Sequence, residues 1–263
     1  GARLVWGIDP LYSLSGLFVG LVVGLTGVGG GSLMTPLLIL LFNVHPATAV
    51  GTDLLFAATT KTAGTLVHGF NGHVDWRVVA RLGVGSVSAS AVTLLVLHQL
   101  GGSDPGVAHV LALVLGGMLV LTALSLLFRR WLFRFAHRHR ELPPLSQAAI
   151  TVAFGALLGV LVSVSSVGAG AIGVTVLMLL YPRLSLVRIV ATDIAHAVPL
   201  TLVAGLGHWL IGNVEWSMLA SLLVGSIPGI VIASMFAPKV PEAAVRYLLA
   251  AVLAIVGLRL LVS

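Results

Sequence analysis

Apolar runs follow one another along almost the whole chain, separated by short polar stretches. A membrane-spanning helix needs about 20 mostly apolar residues. The pattern predicts five segments in each half, at Leu11–Thr26, Ser32–Phe42, Ala47–Phe70, Val78–Leu97, Val107–Phe128, Gln147–Ser163, Ala171–Tyr181, Val187–Leu210, Ser217–Phe236 and Ala243–Val262. The second of these segments is too short to cross a membrane alone. The sequence therefore predicts an all-α polytopic membrane protein.

Two stretches rich in glycine and small hydroxyl residues interrupt these apolar runs. The first is Gly24–Pro36, and a weaker copy lies at Ser163–Gly173. Non-helical backbone at membrane depth is tolerated only where it is packed in protein or lines a wet cavity. We therefore predict that the two breaks form the substrate site of a transporter. Close helix packing through small residues is the alternative; it fits consecutive glycines poorly, and for Ser165 and Ser166 both interpretations stay open.

Composition and charge support the membrane class and exclude several others. Of the 263 residues, 58% are hydrophobic and 8% are charged, against about 25% charged in soluble domains. Cysteine is absent, which excludes disulfides, Cys-ligated zinc and a thiol nucleophile. The net charge of +6 comes from short loops, so it indicates membrane orientation rather than nucleic-acid binding. No cleavable signal peptide is expected, because the apolar run after Gly1–Pro10 continues too far.

The chain also contains an internal repeat with an offset of 140 residues. Gly51-Thr52-Asp53 matches Ala191-Thr192-Asp193, and Val74-Asp75-Trp76 matches Val214-Glu215-Trp216. The repeat predicts a first half over residues 1–128 and a second half over 145–263, joined by a basic cytoplasmic linker at 129–144.

The two halves are predicted to lie in opposite orientations in the membrane. Five segments per half is an odd number, so the second copy starts on the other side. Arg77 and Arg81 follow the first Val-Asp-Trp loop, whereas no basic residue follows the second copy. The positive-inside rule then places the Arg129–Arg140 linker in the cytoplasm and both termini outside. The predicted location is the bacterial inner (plasma) membrane.

Charged residues inside the apolar segments are the strongest candidates for transport chemistry, because burying them in a membrane is costly. Asp53 and Lys61 lie in the third segment, and Asp193 and His196 lie in its repeat counterpart. Lys61 is predicted to attract an anion or to pair with Asp53. Asp53, Asp193 and His196 are candidates for proton coupling. A structural role for both aspartates, satisfying backbone amides of the breaks, stays open; His68 and His208 are expected near the membrane interface.

Backbone amides at a helix start carry partial positive charge and suit an anion. The glycine run lacks the Gly-Lys-Ser/Thr ending of a phosphate loop, so a nucleotide site is excluded, and no cofactor or metal is predicted. The predicted substrate-binding residues are Thr26, Gly29, Gly30, Gly31, Ser32, Thr52, Lys61, Ser165, Ser166, Gly168, Gly170 and Thr192.

These motifs resemble the sulfite exporter TauE/SafE family, also called the toluene sulfonate uptake permeases. The resemblance is based on Gly-Val-Gly-Gly-Gly-Ser at 27–32 with Pro36, on Ala49-Val50-Gly51-Thr52, and on Ala191-Thr192. It covers essentially the whole chain. It implies a transporter of sulfur-containing oxyanions or organic anions, such as sulfite, sulfoacetate or other sulfonates, coupled to the proton gradient.

The residues and the resemblance together predict a secondary transporter that works by alternating access. Its expected partners are a small anion, protons and membrane lipid, with no nucleic acid; a homodimer is an open option. An anion channel is the first alternative. An intramembrane enzyme is the second, although the chain contains no HExxH or GxSxG motif.

Overall fold

A computed structural model of the chain describes residues 8–26, 31–70, 72–100, 105–136, 143–236 and 242–262. These ranges contain ten helices: α1 (Pro10–Thr26), α2 (Gly31–Phe42), α3 (Pro46–Phe70), α4 (Trp76–Leu100), α5 (Pro105–Ala136), α6 (Pro144–Ser165), α7 (Ala171–Leu180), α8 (Leu186–Leu210), α9 (Trp216–Phe236) and α10 (Glu242–Val262). Each predicted segment falls on one helix, so the all-α prediction is confirmed.

The described residues include five helices that are long and apolar enough to cross a membrane. They are Trp76–Leu100, Pro105–Arg129, Pro144–Ser165, Leu186–Leu210 and Trp216–Ala233. The helix α5 also continues past Arg129 to Ala136, into the stretch expected to be linker. No proline or glycine interrupts residues 129–136, so nothing in the local sequence ends the helix there.

Glycines allow two pairs of helices to pack with their backbones in contact. In the first pair, Gly16 and Gly20 of α1 lie against the backbone of Leu222 and Ser226 of α9. The contact positions increase together along both helices, so α1 and α9 run parallel. Small residues in such a seam let helix backbones approach closely.

The second pair, α4 and α6, repeats this arrangement, again between one helix of the first half and one of the second. Gly155 and Gly159 of α6 lie against the backbone of Leu82 and Ser86 of α4. These helices are therefore also parallel, and their contacts occupy the repeat-equivalent positions.

The centre of the molecule is formed by α3 and α8, which pack against each other in antiparallel directions. Gly51 near the start of α3 meets His208 near the end of α8, and Leu55 meets Gly205. The apolar side chains of α3 around this crossing, including Leu54 and Phe56, have no exposed surface. The two helices that carry the predicted charged residues therefore cross in the buried interior.

The short helices α2 and α7 each follow a predicted break and pack beside this central pair. Leu38 of α2 is buried with Phe56 of α3, and Leu177 of α7 is buried with Ile189 of α8. The break between α6 and α7 is described by the structure. The corresponding residues 27–30, between α1 and α2, lie outside the described residues.

Candidate functional site

The break between α6 and α7 is five residues of non-helical backbone, of which Ser166, Val167 and Gly168 are buried. Ser166 ends α6 with a φ of 60°, and its amide donates to the Val162 carbonyl. Gly168 and Gly170 have φ values of 133° and 131°, which side-chain-bearing residues rarely adopt. The glycines predicted from sequence are therefore required by the course of the backbone here.

The break leaves one carbonyl free to accept a hydrogen bond from a side chain. In a regular helix, the Gly173 amide would donate to the Ala169 carbonyl, four residues earlier. It donates instead to Gly168, and the next amide, of Val174, donates to Gly170. The bypassed Ala169 oxygen accepts a hydrogen bond from Lys61 Nζ at 3.3 Å.

Lys61 is buried, with 7% of its surface exposed, although it carries an ammonium group. It interacts electrostatically with the carboxylates of both Asp193 and Asp53. Both carboxylates are also buried, with at most 1% of their surface exposed. We call Asp53, Lys61 and Asp193 the buried charge cluster. Asp53 and Lys61 come from the first half of the chain, and Asp193 comes from the second.

The Asp193 carboxylate lies at the beginning of α7. The N-cap position of this helix is Gly170, which has no side chain to cap the helix. A Cβ atom added to Gly173, in the first turn, would overlap Asp193 Oδ1, so the carboxylate lies directly on that glycine. The carboxylate also interacts with the Gly170 backbone. An internal anion thus lies at the helix start where the sequence predicts a substrate anion.

Asp53 has the corresponding place in the first half. It accepts a hydrogen bond from the Thr35 hydroxyl of α2, within the short helix that follows the first break. Ser166, from the second break, also interacts with the Asp53 carboxylate. Because Ser166 is 6% exposed and its hydroxyl makes no other hydrogen bond among the described residues, it completes the polar surroundings of Asp53.

Two histidines of α8 extend this buried polar region. His196 Nε2 is 2.8 Å from Ser86 Oγ of α4, and the imidazole interacts electrostatically with Lys61. His208 was expected near the membrane interface, and its depth in the membrane stays a prediction. His208 is buried, and its Nε2 lies 2.8 Å from the Ser163 carbonyl near the end of α6, because the antiparallel crossing carries the end of α8 beside the break.

Three of the predicted donors have local or structural partners. Ser165 Oγ donates to the Leu161 carbonyl at 2.7 Å and accepts from the Val167 amide at 3.1 Å, which closes the end of α6. Thr52 Oγ1 accepts from the Glu215 amide at 3.2 Å, and Thr192 Oγ1 accepts from the Asp75 amide at 2.9 Å. Each threonine thus holds the Val-Asp/Glu-Trp loop of the opposite half. Substrate binding by these three side chains stays a prediction.

Replacing Thr192 with valine is expected to lower the melting temperature by roughly 2–6 °C, because the part-buried Asp75 amide loses its acceptor, at a cost of about 1–2 kcal/mol. Thr52→Val should have a similar effect through Glu215. Thr93→Val is the matched control, since the Thr93 hydroxyl donates within its own helix, to the Ala89 carbonyl. Equal melting temperatures for all three variants would contradict a role of these hydroxyls in holding the loops.

Several other predicted site residues belong to the first break. Gly29 and Gly30 lie outside the described residues. Thr26 ends α1, and Gly31 and Ser32 begin α2, but their side chains are not described. The structure thus brings Lys61, Ser166, Gly168, Gly170, Asp53 and Asp193 into one region, with His196 beside it.

The sequence interpretation missed three residues that form this region: Thr35, Ala169 and Gly173. Thr35 and Gly173 both lie inside the quoted glycine motifs, so their positions were a usable signal. Ala169 contributes only a backbone carbonyl, which no residue pattern identifies.

Comparison with known proteins shows what the chain is similar to. A probable membrane transporter protein of Bacillus subtilis (strain 168), YjnA, is 35% identical over 250 residues, covering 94% of this chain and 98% of that protein. YdhB, from the same organism and with the same description, is 26% identical over 78% of this chain and 81% of its own length. The probable membrane transporter protein MJ0441 of Methanocaldococcus jannaschii is 25% identical over 78% of this chain and 74% of its own length.

No solved structure matches the chain. The profile of the family described as sulfite exporter TauE/SafE matches residues 12–260, which is nearly the full sequence. Together with the relative that is 35% identical along almost its entire length, this match shows that the chain belongs to the sulfite exporter TauE/SafE family of membrane transport proteins.

Proposed function

We propose that this protein is a secondary transporter of a small sulfur-containing oxyanion or organosulfonate, such as sulfite or sulfoacetate. The observation on which the proposal depends is the non-helical break at 166–170, whose Ala169 carbonyl accepts a hydrogen bond from the buried Lys61. In membrane transporters, broken helices of this kind supply the groups that bind anions and coupling ions. Lys61 provides the positive charge, and Ser166 and the Gly170 amide, in the same break, supply polar donors.

The charges of the cluster support coupling to protons. With both carboxylates ionised and Lys61 protonated, the buried charge cluster carries one net negative charge and repels an anion. Protonation of either carboxylate makes the cluster neutral, and protonation of both makes it positive. The anion is therefore expected to bind together with protons, which makes the transporter a proton–anion symporter. Asp53 and Asp193 carry the protons in this proposal, and His196, beside Lys61, is the next group available.

The packing of the helices supports alternating access through two inverted halves. The parallel pairs α1–α9 and α4–α6 are equivalent to each other, because α1 corresponds to α6 and α9 to α4 in the repeat. Each pair connects one half to the other. The hydrogen bonds of Thr52 and Thr192 to the opposite loops are equivalent in the same way. Rocking of the α1–α9 pair against the α4–α6 pair, with both seams intact, would exchange the threonine contacts. We place both termini outside the bacterial inner membrane, as the distribution of arginines favours.

Thermal stability of the purified protein tests the substrate class. A ligand that binds only the folded state raises the melting temperature by mass action. Sulfite or a small sulfonate should raise it by roughly 5 °C when present at 100 times its dissociation constant, and Lys61→Ala should abolish this increase. Arg77→Ala removes an exposed positive charge instead and should keep the response of the wild type. Stabilisation by neutral solutes but by none of the anions would overturn the proposal.

Reconstitution into lipid vesicles separates a carrier from an anion channel. A proton–anion symporter accumulates the labelled anion against its gradient when the pH is lower on the side from which it enters. A channel only equilibrates the anion according to membrane potential. Accumulation that is lost in Asp193→Asn supports the carrier, whereas current that follows voltage and ignores the pH gradient supports the channel.

A further inference from the structure

The last turn of α6 releases a second backbone carbonyl, that of Ser163, shortly before the break. In a continuing helix, the Val167 amide would donate to this carbonyl, four residues earlier. The amide donates instead to the Ser165 hydroxyl, at 3.1 Å. The Ser163 oxygen thereby loses the amide that a continuing helix would provide. Carbonyls released in this way at a helix end need a partner from elsewhere.

The imidazole of His208, from α8, supplies this partner. Its Nε2 lies 2.8 Å from the Ser163 carbonyl oxygen. Because a carbonyl only accepts hydrogen bonds, Nε2 carries the hydrogen and donates it. His208 has 1% of its surface exposed, so the bond is shielded from solvent. Removing the donor would leave a buried carbonyl without compensation for its lost hydration, which is costly.

The neighbouring helices fix the position of this contact. A Cβ atom added to Gly51 of α3 would lie 2.9 Å from His208 Cβ and overlap the Asn213 carbonyl oxygen, so α3 packs closely against the histidine. The Ser163 hydroxyl lies 2.7 Å from Ser90 Oγ of α4, and both serines are buried. The end of α6 is therefore held from two sides, by α8 through its backbone and by α4 through its side chain.

We propose that His208 is a positioning residue for the anion site, because its bond to the Ser163 carbonyl fixes the helix end from which the break starts. At the far side of the break, Lys61 holds the Ala169 carbonyl. Glycine-rich backbone between two such anchors has many accessible conformations. The anchors on α8 and α3 therefore decide which conformation the break adopts and where it presents its polar donors. This inference deepens the proposed function and rests on it.

The test compares His208→Leu, which removes the donor, with His208→Gln, whose amide nitrogen lies the same number of bonds from Cα as Nε2. Hydrogen exchange is measured by mass spectrometry without any anion. In His208→Leu, peptides covering residues 163–174 should exchange roughly tenfold faster, as expected for the loss of one buried hydrogen bond. Peptides of α9 should exchange as in the wild type. The dissociation constant of sulfite, from a melting-temperature titration, should also rise roughly tenfold. His208→Gln should restore both values.

His98→Leu is the matched control, because His98 is an exposed histidine of α4. Both measurements should keep their wild-type values in this variant. Wild-type exchange over residues 163–174 in His208→Leu, or wild-type affinity for sulfite, would overturn the proposal. A uniform increase in exchange over all helices would overturn it as well, since that is the result of a merely structural role.

If His208→Leu is not recovered in folded form, His208→Asn takes its place. The asparagine amide extends no further than Nδ1 of histidine, so it stops short of the Ser163 carbonyl and should show the same two effects. The exchange experiment contains no anion, which separates the two proposals. If the wild type binds no sulfite, the proposed function fails, whereas faster exchange confined to residues 163–174 still supports the hold of His208 on the break.

Discussion

Gly173→Ala is expected to lower the melting temperature by roughly 3–10 °C, because overpacking a buried site costs about 1–3 kcal/mol. The same substitution is expected to abolish the thermal stabilisation by the transported anion. The new methyl group would overlap Asp193 Oδ1 and come within 2.9 Å of Asp193 Cγ. The carboxylate would have to leave the start of α7, where it interacts with the Gly170 backbone and Lys61. A buried carboxylate deprived of these partners is destabilising.

The effect can be separated from the general consequences of adding a methyl group to a helix. Gly83 of α4 is the matched control, because a Cβ atom there meets nothing within 4 Å, and Gly83→Ala should not reduce stability. Removing the carboxylate should also remove the clash, so Gly173→Ala should cost little in an Asp193→Ala background. Neighbouring residues show such non-additivity when they share a contact. Equal losses in the two backgrounds would contradict the contact between Gly173 and Asp193.

The sequence was sufficient to predict the helices and the break between α6 and α7. Apolar length located all ten helices of the described ranges. The glycines at 168 and 170 indicated a break, and the structure shows the positive φ values that only glycine accepts readily. The repeat also placed Asp53 and Asp193 on equivalent helices, from which a shared buried region could be expected.

The partners of those residues could not be predicted, because they depend on how distant segments pack. Lys61 bonds to a backbone carbonyl 108 residues away, and the side chain at that position is an ordinary alanine. His208 lies near a helix end in sequence, which is typical of an interface residue. Its burial results from the crossing of α3 and α8, beside the end of α6. Local patterns indicate which residues are unusual, but they do not show which unusual residues meet.

Gly85→Val and Gly225→Val are expected to be more destabilising than any substitution considered above, with loss of most folded protein. These glycines occupy equivalent positions of α4 and α9. A Cβ atom at Gly225 would overlap the Ser13 carbonyl oxygen and lie 2.8 Å from the Leu17 amide nitrogen. A Cβ atom at Gly85 would overlap the Val152 carbonyl oxygen and lie 2.7 Å from the Ala156 amide nitrogen. The obstacles are backbone atoms, which cannot rotate aside, so the paired helices must separate. The loss of folding free energy is then expected to exceed the typical overpacking cost of about 1–3 kcal/mol.

The matched controls are Gly83→Val and Gly117→Val, whose Cβ atoms would meet nothing within 4 Å. They impose the same β-branched side chain on a helix without touching a neighbour. The measurements are the yield of monodisperse protein in detergent and its melting temperature.

Because α1 and α6 each lead directly into a break, separating either pair also displaces a break, so anion binding should be lost together with the fold. Gly173→Ala should instead lose binding while most of the fold survives. Recovery of well-folded Gly225→Val would contradict the close seam between α1 and α9. It would also contradict the equivalence of the two helix pairs, on which the proposal of alternating access depends.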